Sequence, residues 1–485
     1  MATFAPIGIL TVWAHVLVIV AVSSRIIMRR LPVNVSLVWL VLVYILPFVG
    51  AMFYLIFGEK RLGHRRAARA LILRDRYTRW LEKLPQQVRT KHRRLTVQAD
   101  ALSRLAESGI GIPAMSGNRI ELLAGADQIL RAIIDDIDRA QHFCHMEFYI
   151  WNEGGTADEV CEALIRAAGR GVTCRLLLDA LGSGRFFKGK VIRRLRKAGI
   201  QTALALPVGP LQMFFVRLDL RLHRKIVVID NSVAYTGSFN LVDPRFFKQD
   251  AGVGEWIDAM ARIKGPAVFL LGALFSLDWE METGRDLDAL PTSEALTSMD
   301  AVGETDVQVV PSGPGNAGEN IQQLLLMAMY AARSELVLTT PYFVPDESIL
   351  TAVLSAARRG VTVTLILPTR IDSRLVHYAC RSFFDELLEA GVRICLFKGG
   401  LLHTKSLMVD REISIFGTVN LDIRSFWLDF EVSLCVFDPE FAARLYALQQ
   451  RYIEKSETAD PQDWRGRPAK ERFIENLARL ASPLL

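Results

Sequence analysis

The chain has 485 residues, 51% of them hydrophobic and 23% charged, with a formal net charge of +6. At roughly 100 to 200 residues per domain it should hold two or three domains. Its balance excludes a disordered or collagen-like chain and is apolar for a purely soluble enzyme.

Residues 1 to 24 carry no charged side chain, and residues 31 to 58 form a second uncharged run of 28. About 20 apolar residues suffice to span a bilayer, so residues 1–58 read as a two-helix membrane anchor. Nothing basic precedes Ile7, and Arg25, Arg29 and Arg30 follow the first run where a cleavable signal would have small residues, which favours a retained anchor. From Lys60 to Arg94 there are 13 Lys/Arg against two acids. Residues 59–109 therefore read as a basic juxtamembrane segment that marks the cytoplasmic side and attracts anionic lipid. Fixing topology alone would also account for these charges. Residues 95–485 are left with a net charge of −7, which argues against a nucleic-acid partner. One conflict stands. A spanning hairpin would put Arg25–Arg30 and Lys60–Arg94 on opposite sides although both are basic, whereas Pro47 allows a kinked or re-entrant hairpin.

Past residue 110 the chain alternates helical and strand patterns, then repeats them. Arg166 to Thr173 and Ser355 to Thr362 share an Ala-Ala-x-Arg-Gly-Val-Thr string at an offset of 189, each leading into an apolar run. Lys197-Ala-Gly-Ile200 and Glu389-Ala-Gly-Val392 follow at 192. This is the signature of internal duplication, with an α/β sandwich in each half. The expected domains are 110–283 and 307–485, joined by a linker at 284–306 that contains Pro291, Ser293, Thr297 and Ser298. Cys144, Cys161, Cys174, Cys380, Cys395 and Cys435 show no metal-ligand spacing and read as buried fillers in a reducing compartment.

The offset then locks at 180. His223, Lys225, Asp230, Gly237, Ser238 and Asn240 match His403, Lys405, Asp410, Gly417, Thr418 and Asn420, an H-x-K-x4-D-x6-G-[S/T]-x-N pattern found twice. His and Lys two apart share a strand face, while the Asp has the opposite parity or lies in the turn beyond, which suits a supporting role. Two histidines meeting at a pseudo-twofold interface suit a double displacement at phosphorus, one as nucleophile and the other as acid and base. Lys225, Lys405, Asn240 and Asn420 would hold the phosphate oxygens, with Ser238 and Thr418 beside them. No carboxylate cluster for a metal is evident, so neither metal nor cofactor is expected. The first half carries a 12-residue insert near Pro207 to Leu220, including Leu211, Met213, Phe214, Phe215 and Val216. It reads either as a membrane-docking loop, with Arg217 and Arg221 facing lipid phosphates, or as packing in the core or a dimer contact.

The paired H-x-K-x4-D motifs resemble the phospholipase D superfamily. The hydrophobic N-terminus, Phe148 to Trp151, Asn240 to Gly254, Thr340 to Pro345 and Ser482 to Leu485 resemble the bacterial cardiolipin synthases. The resemblance covers nearly the whole chain. It implies duplicated phospholipase D-like domains with pseudo-twofold symmetry and a hydrophobic helical hairpin. It also implies transfer of a phosphatidyl group between two phosphatidylglycerol molecules, giving cardiolipin and glycerol through a phosphatidyl-histidine, at the bacterial inner membrane with the catalytic domains on the cytoplasmic side. It makes His223 the nucleophile and His403 the acid/base, an assignment that sequence symmetry does not settle. Glu431 would orient a histidine. At the 180 offset Asp250-Ala251 stands opposite Phe430-Glu431, so the first half is expected to lack that acid. Tyr149, Trp151, Tyr342 and Phe343 are open between core packing and lining a lipid channel. Hydrolytic phospholipase D chemistry and a homo-oligomer both stay open.

Overall fold

A computed structural model of the chain describes residues 5–29, 31, 33–59, 61–84, 89, 95–207, 209, 217–287, 301–314 and 318–482. The Leu211–Val216 core of the insert and the linker residues Pro291, Ser293, Thr297 and Ser298 lie outside these. The chain divides into two compact units, Met1–Ala67 with Val208–Leu220, and Ala68–Pro207 with Arg221–Leu485.

In the first unit α1 (Ala5–Met28) is followed by α2 (Val33–Ile45) and α3 (Pro47–Phe53), which ends in a π-helical turn at Tyr54–Gly58. Proline lacks the N–H a helix interior needs, and Leu46, at φ −129°, breaks the second apolar run before Pro47. Gly50 then passes so close to α2 that a β-carbon there would stand 2.6 Å from the Leu42 carbonyl oxygen. The run doubles back. Its far end, Glu59, is 4% exposed and receives Arg25 through two bonds of 2.6 and 2.9 Å, Arg29 at 3.2 Å and the Tyr54 hydroxyl at 3.1 Å. Ile26, Trp39, Val43 and Tyr54 form the small core. Among the described residues no helix is long and apolar enough to cross a membrane. Arg217 pairs with Asp219 at 2.6 Å.

The second unit is built on one mixed sheet. Its first half contributes β1 (Met115–Ala124), β2 (Phe143–Phe148), β3 (Thr173–Asp179), β4 (Gln201–Ala205), β5 (Ile226–Ile229), β6 (Val233–Gly237) and β7 (Ala259–Lys264). The second half repeats these as β8 (Thr305–Ser312), β9 (Glu335–Thr339), β10 (Thr362–Pro368), β11 (Arg393–Phe397), β12 (Ser406–Val409), β13 (Ile413–Gly417) and β14 (Asp429–Phe437), with β15 (Ser456–Thr458) on the edge. The order across the sheet is β4-β3-β2-β5-β6-β7-β1-β8-β14-β13-β12-β9-β10-β11-β15. It mirrors itself about the antiparallel β1–β8 seam, where Met115 faces Val307. This is the expected pseudo-twofold α/β architecture.

Strands such as Ile226-Val-Val-Ile229 are β-branched and buried on both faces, as central strands require. Ile226 and Val228 join a core that runs under both halves and includes Ala267–Leu271 and Phe441–Tyr452 from the helices on that face. Val227 and Ile229 enter a separate core in the first half, and Leu407 and Val409 its counterpart in the second. Each such aliphatic side chain contributes about 1.5 to 3 kcal/mol by leaving water. All six cysteines are free and buried.

Candidate active site

Short parallel strand pairs stitch the two halves together where the motif histidines sit. Arg221–Leu222 pairs with Asp429–Phe430, and Leu401–Leu402 with Trp256–Ile257. The His223 N–H then donates to the Phe430 carbonyl at 2.9 Å and that of His403 to Ile257 at 2.8 Å. Each histidine is thereby held against the acid of the other half. His223 Nδ1 lies 2.8 and 2.9 Å from the two Glu431 oxygens, and His403 Nδ1 lies 2.8 Å from Asp258 Oδ1.

Asp258 corrects the expectation that the first half lacks an acid. It follows His223 by 35 residues, whereas Glu431 follows His403 by 28, so a fixed offset lands on Ala251 instead. The shared pattern was there to find: Trp256-Ile-Asp258 and Asp429-Phe-Glu431 each place an acid two residues after the start of the stitching strand, once a gap is allowed. The two halves are thus more alike than the unaligned acid implied.

The lysines are fully buried, and each donates through Nζ to the carbonyl of its own histidine at 2.6 Å. Burial lowers Lys225 to about 8 despite Glu431 and Asp258 nearby, and lowers Lys405 well below its ordinary value. An entering anion would add to the counter-charge that the carboxylates supply only in part. Burial also pushes His223 well below 6.5, with Lys225 and Lys405 adding to the effect. Burial and Lys405 bring His403 down to about 4, while the Asp258 carboxylate pulls it back up. Burial would raise Asp258, but His403, Lys405 and the Ser238 hydroxyl outweigh it and hold the carboxyl low. For Glu431 burial wins and the shift is upward. An ionised Asp258 accepting from Nδ1–H leaves Nε2 of His403 as the reactive nitrogen.

His223, His403, Asn240 and Asn420 line one cavity of about 370 Å³, together with Tyr149, Arg221, Lys248, Trp256, Tyr342, Asp372, Arg424 and Asp429. Asn240 Oδ1 accepts from the Ile150 N–H at 3.1 Å while its buried amide nitrogen has no partner, and neither does the buried Asn420 Oδ1. Tyr149 packs edge-on to His223 and Trp256 tilts over His403, with ring centroids 5.0 and 4.4 Å apart. The aromatic pairs therefore divide: Tyr149 and Tyr342 line the cavity, while Trp151 and Phe343 are buried. Burial raises Asp429 to about 7, with Arg424 opposing and Asp422 adding.

Four expected site residues fall elsewhere. Asp230 and Asp410 stand beyond their strands at φ 52° and 50°, and each accepts three backbone N–H groups. Asp230 takes those of Gln141, His142 and Phe143, and Asp410 those of Arg333, Ser334 and Glu335. A four-residue strand separates each from its motif lysine, so these acids staple hairpin turns and touch no reacting atom. Ser238 and Thr418 are also displaced from the phosphate-binding role. Their hydroxyls donate to the Ala259 and Val432 carbonyls and accept the same residues' N–H groups, beside Asp258 and Glu431.

Arg224, between His223 and Lys225, points to the other sheet face. It donates to the Glu431 carbonyl at 3.0 Å and the Ser312 carbonyl at 3.2 Å, and pairs with Asp278. Thr404 takes that position in the second half and reaches the Ile257 carbonyl at 3.3 Å. Among the described residues no group of three or more His, Cys, Asp or Glu is placed to hold a metal ion.

Residues 133–253 and 325–452 each match the family described as cardiolipin synthase, PLD-like domain, and residues 9–59 match the phospholipase D-nuclease N-terminal family. The chain is 48% identical, over 100% of both lengths, to proteins named cardiolipin synthase A from Yersinia pseudotuberculosis serotype O:1b (strain IP 31758) and Yersinia pestis bv. Antiqua (strain Angola). A crystal structure of phosphatidylserine synthase from Haemophilus influenzae Rd KW20 covers 79% of this chain and 100% of its own, with a TM-score of 0.60 and 15% identity, a likeness of fold.

Proposed function

The chain belongs to the cardiolipin synthase family of phospholipase D-like proteins, and from that we propose that it is a phosphatidyltransferase joining two phosphatidylglycerol molecules into cardiolipin with release of glycerol. The observation that carries this reading is the pair of histidines at one cavity, each held through Nδ1 by a carboxyl from the opposite half. In the first step His223 Nε2 attacks the phosphorus of the donor, and the P–O bond to the headgroup glycerol breaks. As the anionic phosphate enters beside it, His403 takes a proton from solvent on Nε2, and the leaving oxygen then takes that proton from the imidazolium. In the second step His403 removes the proton from a hydroxyl of the second phosphatidylglycerol, whose oxygen attacks phosphorus as the P–N bond to His223 breaks. Burial and the two lysines lower the proton affinity of both histidines, but Asp258 restores part of that of His403, whereas His403 and Arg424 lower that of His223 further. That difference supports His403 as the proton carrier. The amide of Asn240 and the positive charge of the lysines would oppose the charge on the phosphate oxygens.

The family and the apolar first unit support attachment to the bacterial inner membrane, with the second unit on the cytoplasmic side. Purified protein given labelled phosphatidylglycerol should yield cardiolipin and free glycerol; phosphatidic acid as the main product would replace transfer by hydrolysis.

A further inference from the structure

Most of the large apolar side chains described as exposed fall between Val12 and Phe53, on the outside of the first unit, while the Glu59 carboxylate is buried at the end of the returning segment. That is the reverse of a water-facing surface, and lipid is the occupant it fits. A helix pair crossing the bilayer twice would put residue 59 beside the start of α1. Instead Glu59 is bonded to Arg25 and Arg29, at the end of α1. The turn between α2 and α3 also stops short, since Phe48 packs edge-on against His15 with centroids 4.7 Å apart. His15 lies ten residues before Arg25, about 15 Å along a helix, against a hydrocarbon core of about 30 Å.

We infer that the segment from Val33 to Gly58 is re-entrant, dipping into the membrane and returning to the leaflet it left, so that Arg25, Arg29 and the basic run beginning at Lys60 meet one anionic lipid surface. The charge pattern favours this arrangement, because in it both basic segments lie on one side, as positive residues prefer. Glu59 is the clamp. The lone acid in residues 1–59, it draws the two arginines onto the returning end of the loop. Tyr54 completes it through its hydroxyl, leaving the returning helix tied to the outgoing one at the level of the headgroups.

Cysteine accessibility tests the inference without reference to turnover, so its failure is separate from failure of the transferase reading. The six native cysteines are buried and the first stands at residue 144, which gives a quiet background. Met28→Cys and Leu62→Cys in the full chain, each in sealed membrane vesicles of known orientation, should react with a membrane-impermeant maleimide from the same side. Reaction from opposite sides overturns the inference. Ile27→Cys with Ala67→Cys repeats the comparison should either first variant fail to insert. Phe48→Cys should stay unreactive from both sides until detergent is added, and labelling from the far side would show a crossing. A fluorophore at Leu62→Cys should shift to the blue in vesicles of equimolar phosphatidylcholine and phosphatidylserine relative to phosphatidylcholine alone, and lose the shift in high salt. No difference between the two vesicles would remove the anionic leaflet as partner. Crosslinking of Phe48→Cys between copies would assign the apolar surface to a second chain instead.

Discussion

The carboxyls behind the two histidines set tautomer and orientation, so Asp258→Asn and Glu431→Gln should each lower kcat by about 10² to 10⁴ with KM little changed. Steady-state rates on dispersed phosphatidylglycerol check this. Asp250→Ala, the acid nearest the position a fixed offset indicates, should stay within about twofold of the parent, because Asp250 is exposed and outside the cavity. His403 also leaves a mark on stability. Its folded value of about 4 lies below the ordinary 6.5, so between those pH values the unfolded chain binds a proton that the folded chain refuses. Stability is complete above about pH 6.5 and declines as pH falls toward 4, by up to about 1.4 kcal/mol per pH unit. Denaturation midpoints at pH 7 and pH 5 should differ less in His403→Asn than in the parent; an equal difference would refute the buried neutral imidazole.

At the scale of the element, the hairpin turn after each motif strand is held by one aspartate accepting three N–H groups. Asp230→Ala or Asp410→Ala would leave those donors to find water, at a cost of about 1 to 3 kcal/mol. The expected outcome is a lower melting temperature with near-parental activity per folded molecule, opposite to the loss expected if these acids touched substrate. Glycine opens the last part of each motif for a matching reason. A β-carbon on Gly237 would stand 2.6 Å from the Ala259 carbonyl oxygen, and one on Gly417 would stand 2.3 Å from that of Val432. Those carbonyls also receive the Ser238 and Thr418 hydroxyls. Gly417→Ala should therefore push β13 from β14 and loosen Glu431, measurable as lost activity together with lost stability.

Over the whole molecule, much was legible because it is written in polar residues at fixed intervals. The duplication, the α/β class and the two histidines follow from a motif repeated at 180 residues, and unbroken burial along strands such as Ile226–Ile229 follows from their composition. Asp258 was hidden by a seven-residue difference in the loop before it. The exchange of acids between halves was hidden because strand parity says which face a side chain takes, not which domain it meets. Hydropathy likewise counts apolar residues without recording direction, so it could not tell a crossing from the return that Leu46, Pro47 and Glu59 reveal. One prediction belongs to the reaction as a whole. The bonds broken and made are both phosphodiesters, and the proposed mechanism draws its positive charge from Lys225 and Lys405, so chelators should leave the rate unchanged. Excess glycerol should convert labelled cardiolipin back to phosphatidylglycerol. A strict need for a divalent ion would refute the lysine account.

The reciprocal pairing of histidines and acids bears on how such a site can diversify. Two identical copies of one half, associated as a dimer, would have to present the same acid and the same neighbouring residue to both imidazoles. Any substitution would be felt twice. Joined in one chain, the halves are free to differ, and they do: Glu431 behind one ring and Asp258 behind the other, Arg224 at a position where its twin has Thr404. One imidazole can then be tuned for bonding to phosphorus and the other for carrying protons. Neither half keeps a complete site if separated, so the division of labour is also what binds the two halves to a common inheritance.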